Sequence, residues 1–190
     1  MKAILLAATS LMLASSAHSA IVYFDILGKD GSGLRSTNEN HVVASPTRLG
    51  GEVGAGIFFD DITKVLTINV AWGSVNGFTD LTGVATAGHI HGPTAAGGVA
   101  SFTQNSSTII GLDSGPTWNN SATSGGITNR TIVLNAAQET ALLEEKNYLN
   151  FHTGTNPSGE IRGNLVIVPE PSHAVLSIIG LALLGARRKR

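Results

Sequence analysis

The stretch Val65–Trp72, VLTINVAW in one-letter code, alternates large apolar side chains with smaller or polar ones at a period of two residues. Successive side chains of a β-strand point to opposite faces, so this stretch predicts a strand with one strongly apolar face. That face consists of Leu66, Ile68, Val70 and Trp72. A single strand cannot bury such a face alone, and the stretch therefore predicts a β-sheet built around it.

Similar stretches recur through the middle of the chain, separated by glycine-rich turns. The further predicted strands are Ile21–Leu27, Val53–Phe59, Val84–His91, Val99–Gln104, Thr108–Leu112, Thr128–Leu134, Tyr148–Thr153 and Glu160–Val168. A helix is predicted at Ala136–Lys146, where Asn135 and Gln138 have the spacing of a capping box. These elements predict one domain over residues 21–167 with an all-β fold, an antiparallel β-sandwich or barrel that carries one short helix.

The composition excludes several classes of protein. The chain has 190 residues, of which 42% are hydrophobic and 13% charged, so it is not a disordered polyelectrolyte. It has no cysteine, which excludes disulfides and thiolate metal sites. Residues 21–168 contain 7 basic and 12 acidic residues, and this negative balance argues against nucleic acid as a partner.

Residues 1–20 have the pattern of a secretory signal peptide. Lys2 provides the positive start, and an apolar run follows over residues 3–13. Ala17 and Ser19 are small residues of the kind expected near a cleavage site. The segment predicts a signal helix, passage through the secretion machinery and removal by signal peptidase; the alternative is an N-terminal anchor helix.

Residues 168–190 combine three features in a fixed order. A Pro-Glu-Pro motif comes first, a short apolar helix over residues 174–186 follows, and a basic cluster closes the chain. The motif and the cluster consist of Pro169, Glu170, Pro171, Arg187, Arg188, Lys189 and Arg190. Thirteen helical residues span about 20 Å, less than the roughly 30 Å of a bilayer core, so the helix is a poor permanent anchor.

This tail resembles the PEP-CTERM sorting signal of Gram-negative bacteria that make extracellular polysaccharide. The resemblance implies recognition by exosortase, a membrane enzyme of the transpeptidase kind, and transient anchoring of the protein in the inner membrane. It also implies that the helix is then cut away and the body released or attached to the surface. The alternative is a plain C-terminal membrane anchor.

Three histidines lie in two segments with strand-like alternation. His89 and His91 belong to the segment GHIHGP, and their spacing of two residues places them on one face of a strand. His152 lies on the polar face of the segment YLNFHT. If the two strands pair, three neutral imidazoles converge on one cation, Zn²⁺ or Cu²⁺. The alternative is that the histidines bond backbone groups or Glu160 and fix only the local structure.

The segment GEIRG places Glu160 and Arg162 on one face of its strand. The favoured interpretation is a surface ion pair with a structural role. The alternative is that the pair orients His152 or His91, since imidazole ligands are usually held by a further acceptor.

Together, the segments Gly88–Ser101 and Asn147–Leu165 resemble the CHRD domain, which is named for its repeats in chordin. The motifs HIHGP and YLNFHT, with NPSGEIRG after the second, carry the resemblance, which extends over residues 21–167. It implies an extracellular all-β module of bacteria and animals with no settled activity. One departure is Glu145-Lys146-Asn147, which stands where the family often has glycine, so we expect a different exit from the helix.

The sorting signals and the domain together predict a non-enzymatic protein of the cell surface or extracellular matrix. We expect its domain to bind polysaccharide or another surface protein. No Gly-x-Ser-x-Gly, phosphate-binding loop or dinucleotide motif suggests catalysis. The alternative is a metal-binding domain, with or without redox chemistry, because a His-x-His strand resembles the copper ligands of Cu/Zn superoxide dismutase.

Overall fold

The computed structural model describes residues 21–120 and 122–169. Within them lie β1 (Ile21–Gly28), β2 (Gly31–Ser32), β3 (Leu34–Arg35), β4 (Leu49–Glu52), β5 (Ile57–Asp60), β6 (Val65–Trp72), β7 (Ala85–His91), β8 (Thr108–Gly111), β9 (Trp118–Asn119), β10 (Gly125–Val133), α1 (Ala136–Leu143), β11 (Tyr148–Thr153) and β12 (Ile161–Ile167). Short 3-10 helices span Ser36–Asn38, Ser74–Asn76 and Gly98–Ser101. The predicted signal helix and sorting helix fall outside the described residues. No helix among those described is long and apolar enough to cross a membrane.

Every strand pairing in this part of the chain is antiparallel, and the strands form one continuous sheet. The main strand order is β2-β1-β5-β6-β4-β3-β12-β11-β7-β8, and β10 extends the sheet from β6 to β9. Two strands each pair with two partners along the same edge. The strands β4 and β5 pair with successive parts of β6, and β1 and β3 pair with successive parts of β12. The predicted all-β, antiparallel architecture with one short helix is confirmed.

The sheet curves until its two halves face each other across the core. The shortest path from β6 to β11 crosses four strand spacings, which would separate them by about 19 Å in a flat sheet. The rings of Trp72 on β6 and Phe151 on β11 nevertheless lie with centroids 4.8 Å apart. All four residues of the apolar face predicted for β6 belong to this core, and Trp72 is fully buried.

Glycine conformation explains why the strand predicted at Val53–Phe59 is mostly absent. Gly54 and Gly56 have φ of 58° and 69°, in the left-handed region that glycine adopts without steric cost. They turn the chain, and β5 begins only at Ile57. The short strands β2, β3, β4 and β9 were not predicted, because two to four residues are too few to establish a period.

The strand predicted at Val99–Gln104 is wrong, because side chains in this segment bond its own backbone. The hydroxyl of Ser101 donates to the carbonyl of Gly98 at 2.6 Å, within a 3-10 helix. The amide of Gln104 accepts from the N–H of Ala96 at 3.0 Å and donates to the carbonyl of Ala100 at 2.9 Å. Such local bonds compete with pairing in a sheet.

The helix α1 has the predicted start and an unusual end. The side chains of Asn135 and Gln138 bond each other's backbone N–H, so the capping box is confirmed. At the end, Glu145 adopts φ of 55°, a conformation in which glycine is the usual residue. The N–H groups of Glu145 and Lys146 donate to carbonyls of the last helical turn at 3.0 and 2.9 Å. This bond pair closes the helix without a glycine.

Candidate metal centre

Two neighbouring strands bring the three histidines to one face of the sheet. The register of β7 and β11 pairs His89 with Asn150 and His91 with Tyr148. Cross-strand partners project on the same side, so His89, His91 and His152 emerge together. The alternate residues Ile90, Leu149 and Phe151 are buried in the core. We call His89, His91 and His152 the histidine triad.

The ring nitrogens of the histidine triad lie close enough to share an ion. Nδ1 of His89 is 3.1 Å from Nε2 of His152, and one ligand atom from each of the three residues lies within 4.8 Å of the others. Two nitrogens bound to a tetrahedral zinc at about 2.0–2.1 Å are about 3.3 Å apart. The pair His89 and His152 therefore already has this spacing, and the limit of 4.8 Å for the whole triad exceeds it by about 1.5 Å.

Backbone carbonyls orient two of the rings. Nδ1 of His91 bonds the carbonyl of Ser106 at 2.9 Å, and Nδ1 of His152 bonds the carbonyl of Pro157 at 3.0 Å. A carbonyl only accepts, so Nδ1 carries the proton in both rings and Nε2 presents its lone pair, which in His152 accepts a hydrogen bond from Nδ1 of His89. Nε2 of His91 is buried and has no hydrogen-bond partner. The site thus contains a preformed but unused nitrogen ligand.

The same surroundings keep two rings neutral. Burial lowers the pKa of His91 and of His152 below the ordinary value, and the positive charge of a protonated His89 would lower both further. The bonds to the two carbonyls act in the opposite direction, because they favour a protonated ring. Since the net shift is downward from 6.5, both rings are mainly uncharged at pH 7. Neutral imidazole is the form that binds metals.

A stack of planar groups supports the ring of His91 from one side. The ring of Tyr148 lies parallel to it, with centroids 4.8 Å apart and an interplanar angle of 7°. The guanidinium carbon of Arg162 lies 3.5 Å from the centre of the Tyr148 ring. Arg162 itself donates to the side chain of Asn105 at 2.8 Å and to the carbonyl of Gln104 at 2.6 Å. The stack restricts the rotation of His91 and adds a positive charge near it.

The surface ion pair predicted between Glu160 and Arg162 is wrong. Both side chains are buried, at 0% and 1% exposure, and they bind different partners. Glu160 accepts from the N–H and hydroxyl of Thr82 at 2.7 and 2.6 Å, from Asn156 at 3.0 Å, and from the hydroxyl of Thr153. Glu160 makes no hydrogen bond to the histidine triad, so the orienting role belongs to the two carbonyls.

A second buried polar group lies near the same sheet. Glu39 is 3% exposed, and burial raises its pKa to about 8. The positive charges of Arg162 and Lys29 lower the pKa, but their effect is smaller than that of burial. Its Oε2 accepts from Asn150 at 3.4 Å, whereas its Oε1 is buried without a partner. His41 lies beside it, with Nδ1 3.6 Å from Oε2 of Glu39, and is not part of the triad.

Sequence patterns identified the three rings but not the groups that orient them. Ser106 and Pro157 act through backbone carbonyls in loops, and no side-chain pattern marks such a role. Tyr148 had a detectable signal, because it precedes His152 by an even number of residues on the same strand face. Glu39 lies in a segment without periodicity and could not have been recognised.

The fold and the site define a small all-β module that carries a cluster of nitrogen ligands on one sheet face. The chain belongs to the CHRD family: the profile of the CHRD domain matches residues 34–165, a range that contains the whole histidine triad. CHRD domains are typical of secreted and extracellular proteins. No curated protein and no solved structure matches the chain.

Proposed function

We propose that the chain is an exported CHRD-domain protein that binds a transition-metal ion at the histidine triad. The observation that carries the proposal is Nε2 of His91, a buried nitrogen without a partner in a cluster whose ligand atoms lie within 4.8 Å. Leaving a buried polar atom unpaired costs about 1–3 kcal/mol. A bound ion would remove this cost.

The donor set favours Zn²⁺ or Cu²⁺. Imidazole suits both ions, whereas Ca²⁺ and Mg²⁺ prefer oxygen ligands. Three protein nitrogens leave the fourth position of a tetrahedral ion for water or a substrate group. Such a site supports ligand binding by a surface protein and does not by itself require catalysis.

Metal analysis of the purified protein tests the proposal. We expect one Zn²⁺ or Cu²⁺ per chain by elemental analysis, with binding measured by calorimetry. His91→Ala should lower the affinity by at least about 100-fold, since it removes a ligand and not only its support. His41→Ala is the matched control, because it removes a histidine that is outside the triad and acts on His152 only through its charge, so its loss should not lower the affinity. Equal affinities of His91→Ala and the unaltered protein would contradict the proposal.

A second proposal concerns export and attachment. We propose that exosortase processes the chain at its Pro-Glu-Pro motif after signal peptidase removes residues 1–20. The non-enzymatic domain then joins the polysaccharide-rich surface or matrix of a Gram-negative cell. The tail motif supports this, and so does the position of the chain ends: the N–H of Val168 donates to the carbonyl of Tyr23 at 2.9 Å. The start of β1 and the end of β12, where the two sorting segments join the domain in sequence, therefore lie side by side.

Replacing the motif tests this second proposal in an exosortase-containing host. The triple substitution Pro169→Ala, Glu170→Ala and Pro171→Ala should leave the precursor in the membrane fraction at its full mass. Ser172→Ala is the control and should be processed normally. Unchanged processing of the triple variant would refute the role of exosortase and leave the metal site unaffected.

A further inference from the structure

A carboxylate lies beside the histidine triad at the end of β8. Gly111 is the cross-strand partner of His89, so a side chain at this position would project on the same face as His89. Gly111 has no side chain, and the carboxylate of Asp113 lies next to the position that such a side chain would take. Oδ1 of Asp113 lies 3.4 Å from the position that a Cβ atom on Gly111 would take. Cross-strand Cβ atoms are about 4.5–5.5 Å apart, so this oxygen lies within roughly 9 Å of the Cβ of His89, on the face from which the triad projects.

The backbone next to Asp113 is fixed to the strand that carries His89. Leu112 is fully buried in the core. Its N–H donates to the carbonyl of Gly88 at 2.8 Å, one residue before His89. The carboxylate of Asp113 is exposed, but its attachment point is held in place by these two neighbours.

Most of the charged groups that act on His91 and His152 are positive when charged. The charges that act most on His91 and His152 include Arg162 and His41, both of which disfavour further positive charge. Within the described part of the chain, Asp113 is the acidic group among them. Three neutral imidazoles leave a divalent ion with its full charge of +2. Asp113 is placed to offset part of it.

We infer that Asp113 is the positioning residue of this metal centre. Its carboxylate accepts a hydrogen bond from the water in the fourth position of the ion and supplies negative charge that the three imidazoles lack. The inference rests on the proposed metal site. Carboxylates in this role orient bound ligands, and their loss typically lowers metal affinity by about 10–100-fold.

Metal titration of the purified protein with Zn²⁺ and Co²⁺ tests the inference. Asp113→Asn should weaken Zn²⁺ binding by about 10–100-fold and change the visible absorption spectrum of bound Co²⁺, which reports its ligands and their geometry. Asp113→Glu should recover part of both. The control is Asp61→Asn, which removes the same charge in the turn between β5 and β6, strands that pair with none of β7, β8 and β11. Because Asp113 is exposed, its metal-free variant should melt like the unaltered protein.

The possible outcomes separate the two proposals. If Asp113→Asn keeps its Zn²⁺ affinity and its Co²⁺ spectrum while His91→Ala loses binding, the metal site stands and the role of Asp113 is refuted. If the unaltered protein binds none of Zn²⁺, Co²⁺ and Cu²⁺, both proposals fail. If Asp61→Asn weakens binding as much as Asp113→Asn does, the effect is one of overall charge, and the positioning role is also refuted.

Discussion

Two polar clusters lie close together on the same sheet and differ in how fully their hydrogen-bonding atoms are used. Glu160 and its partners Thr82, Thr153 and Asn156 form the Glu160 cluster, in which one carboxylate receives four hydrogen bonds. In the histidine triad, by contrast, a buried nitrogen of His91 receives none. Both clusters contain residues that sequence reasoning selects as chemical candidates.

The difference separates a structural cluster from a binding site. A buried carboxylate that already accepts four hydrogen bonds has little capacity left for a ligand, and its bonds hold loops together. A buried nitrogen held in a fixed orientation by Ser106, yet without a partner, is costly unless something binds it. Substitutions should therefore affect the Glu160 cluster through folding and the triad through ligand binding.

Glu160→Gln should give the largest effect on folding. The amide presents an N–H group to partners that also donate, so at least one buried donor in the Glu160 cluster stays unsatisfied. Hydrogen bonds to charged groups contribute about 1.5–3 kcal/mol each, and we expect a loss of about 3 kcal/mol in the free energy of unfolding. Urea denaturation measures it.

The Zn²⁺ affinity of the same variant tests whether Glu160 has only a structural role. Under conditions where Glu160→Gln is folded, its Zn²⁺ affinity should match that of the unaltered protein. A large loss of affinity with little loss of stability would show that Glu160 serves the histidine triad after all.

The elements predicted correctly are those whose determinants are local. The alternation within β6 and β11 is enough to fix which side chains enter the core, and Asn135 and Gln138 define the helix start within four residues. The partners of Glu160 could not be predicted from the sequence, because Thr82 lies 78 residues away and its loop has no periodic pattern. The histidine triad was an intermediate case: the shared faces followed from spacing, but the pairing of β7 with β11 had to be assumed.

Adding metal should stabilise the protein through the histidine triad alone. A ligand that binds only the folded state at 100 times its Kd contributes about 2.7 kcal/mol. We therefore expect Zn²⁺ to raise the melting temperature, EDTA to reverse the rise, and His91→Ala to abolish it. Binding should weaken in acid, because protons compete for the imidazole nitrogens, and burial shifts this competition for His91 and His152 below the ordinary pKa of 6.5. A Zn²⁺-dependent rise that persists in His91→Ala would place the ion elsewhere.

Glu39 lies between the Glu160 cluster and the histidine triad in how fully it is hydrogen-bonded, since one of its buried oxygens has a partner and the other has none. Its pKa is about 8 in the folded protein, where burial raises it from 4.5. Between these values the unfolded chain ionises while the folded protein stays protonated, so the unfolded state binds fewer protons and stability falls as the pH rises. Glu39→Gln mimics the protonated form and removes this loss.

The expected gain in Glu39→Gln depends on pH. The variant and the unaltered protein should be equally stable below pH 4.5, and the advantage of the variant should grow up to about pH 8. Linkage is worth at most about 1.4 kcal/mol per pH unit above pH 4.5, and we expect a gain of roughly 2 kcal/mol at pH 7. Urea denaturation at pH 4.5, 7 and 8.5 measures the trend. A pH-independent difference would mean that Glu39 is ionised in the folded protein.

The capping box at α1 tests the same comparison with side chains that are exposed to solvent. Its bonds are complete, as in the Glu160 cluster: Asn135 accepts from the N–H of Gln138 at 3.0 Å, and the Gln138 side chain accepts from the N–H of Asn135 at 3.0 Å. Here water can replace a lost partner, because both side chains lie at the surface. Asn135→Ala should therefore cost only about 1 kcal/mol of unfolding free energy, and Asn135→Ser should recover most of it. A loss as large as that of Glu160→Gln would show that completeness of bonding, and not burial, sets the cost of removing a partner.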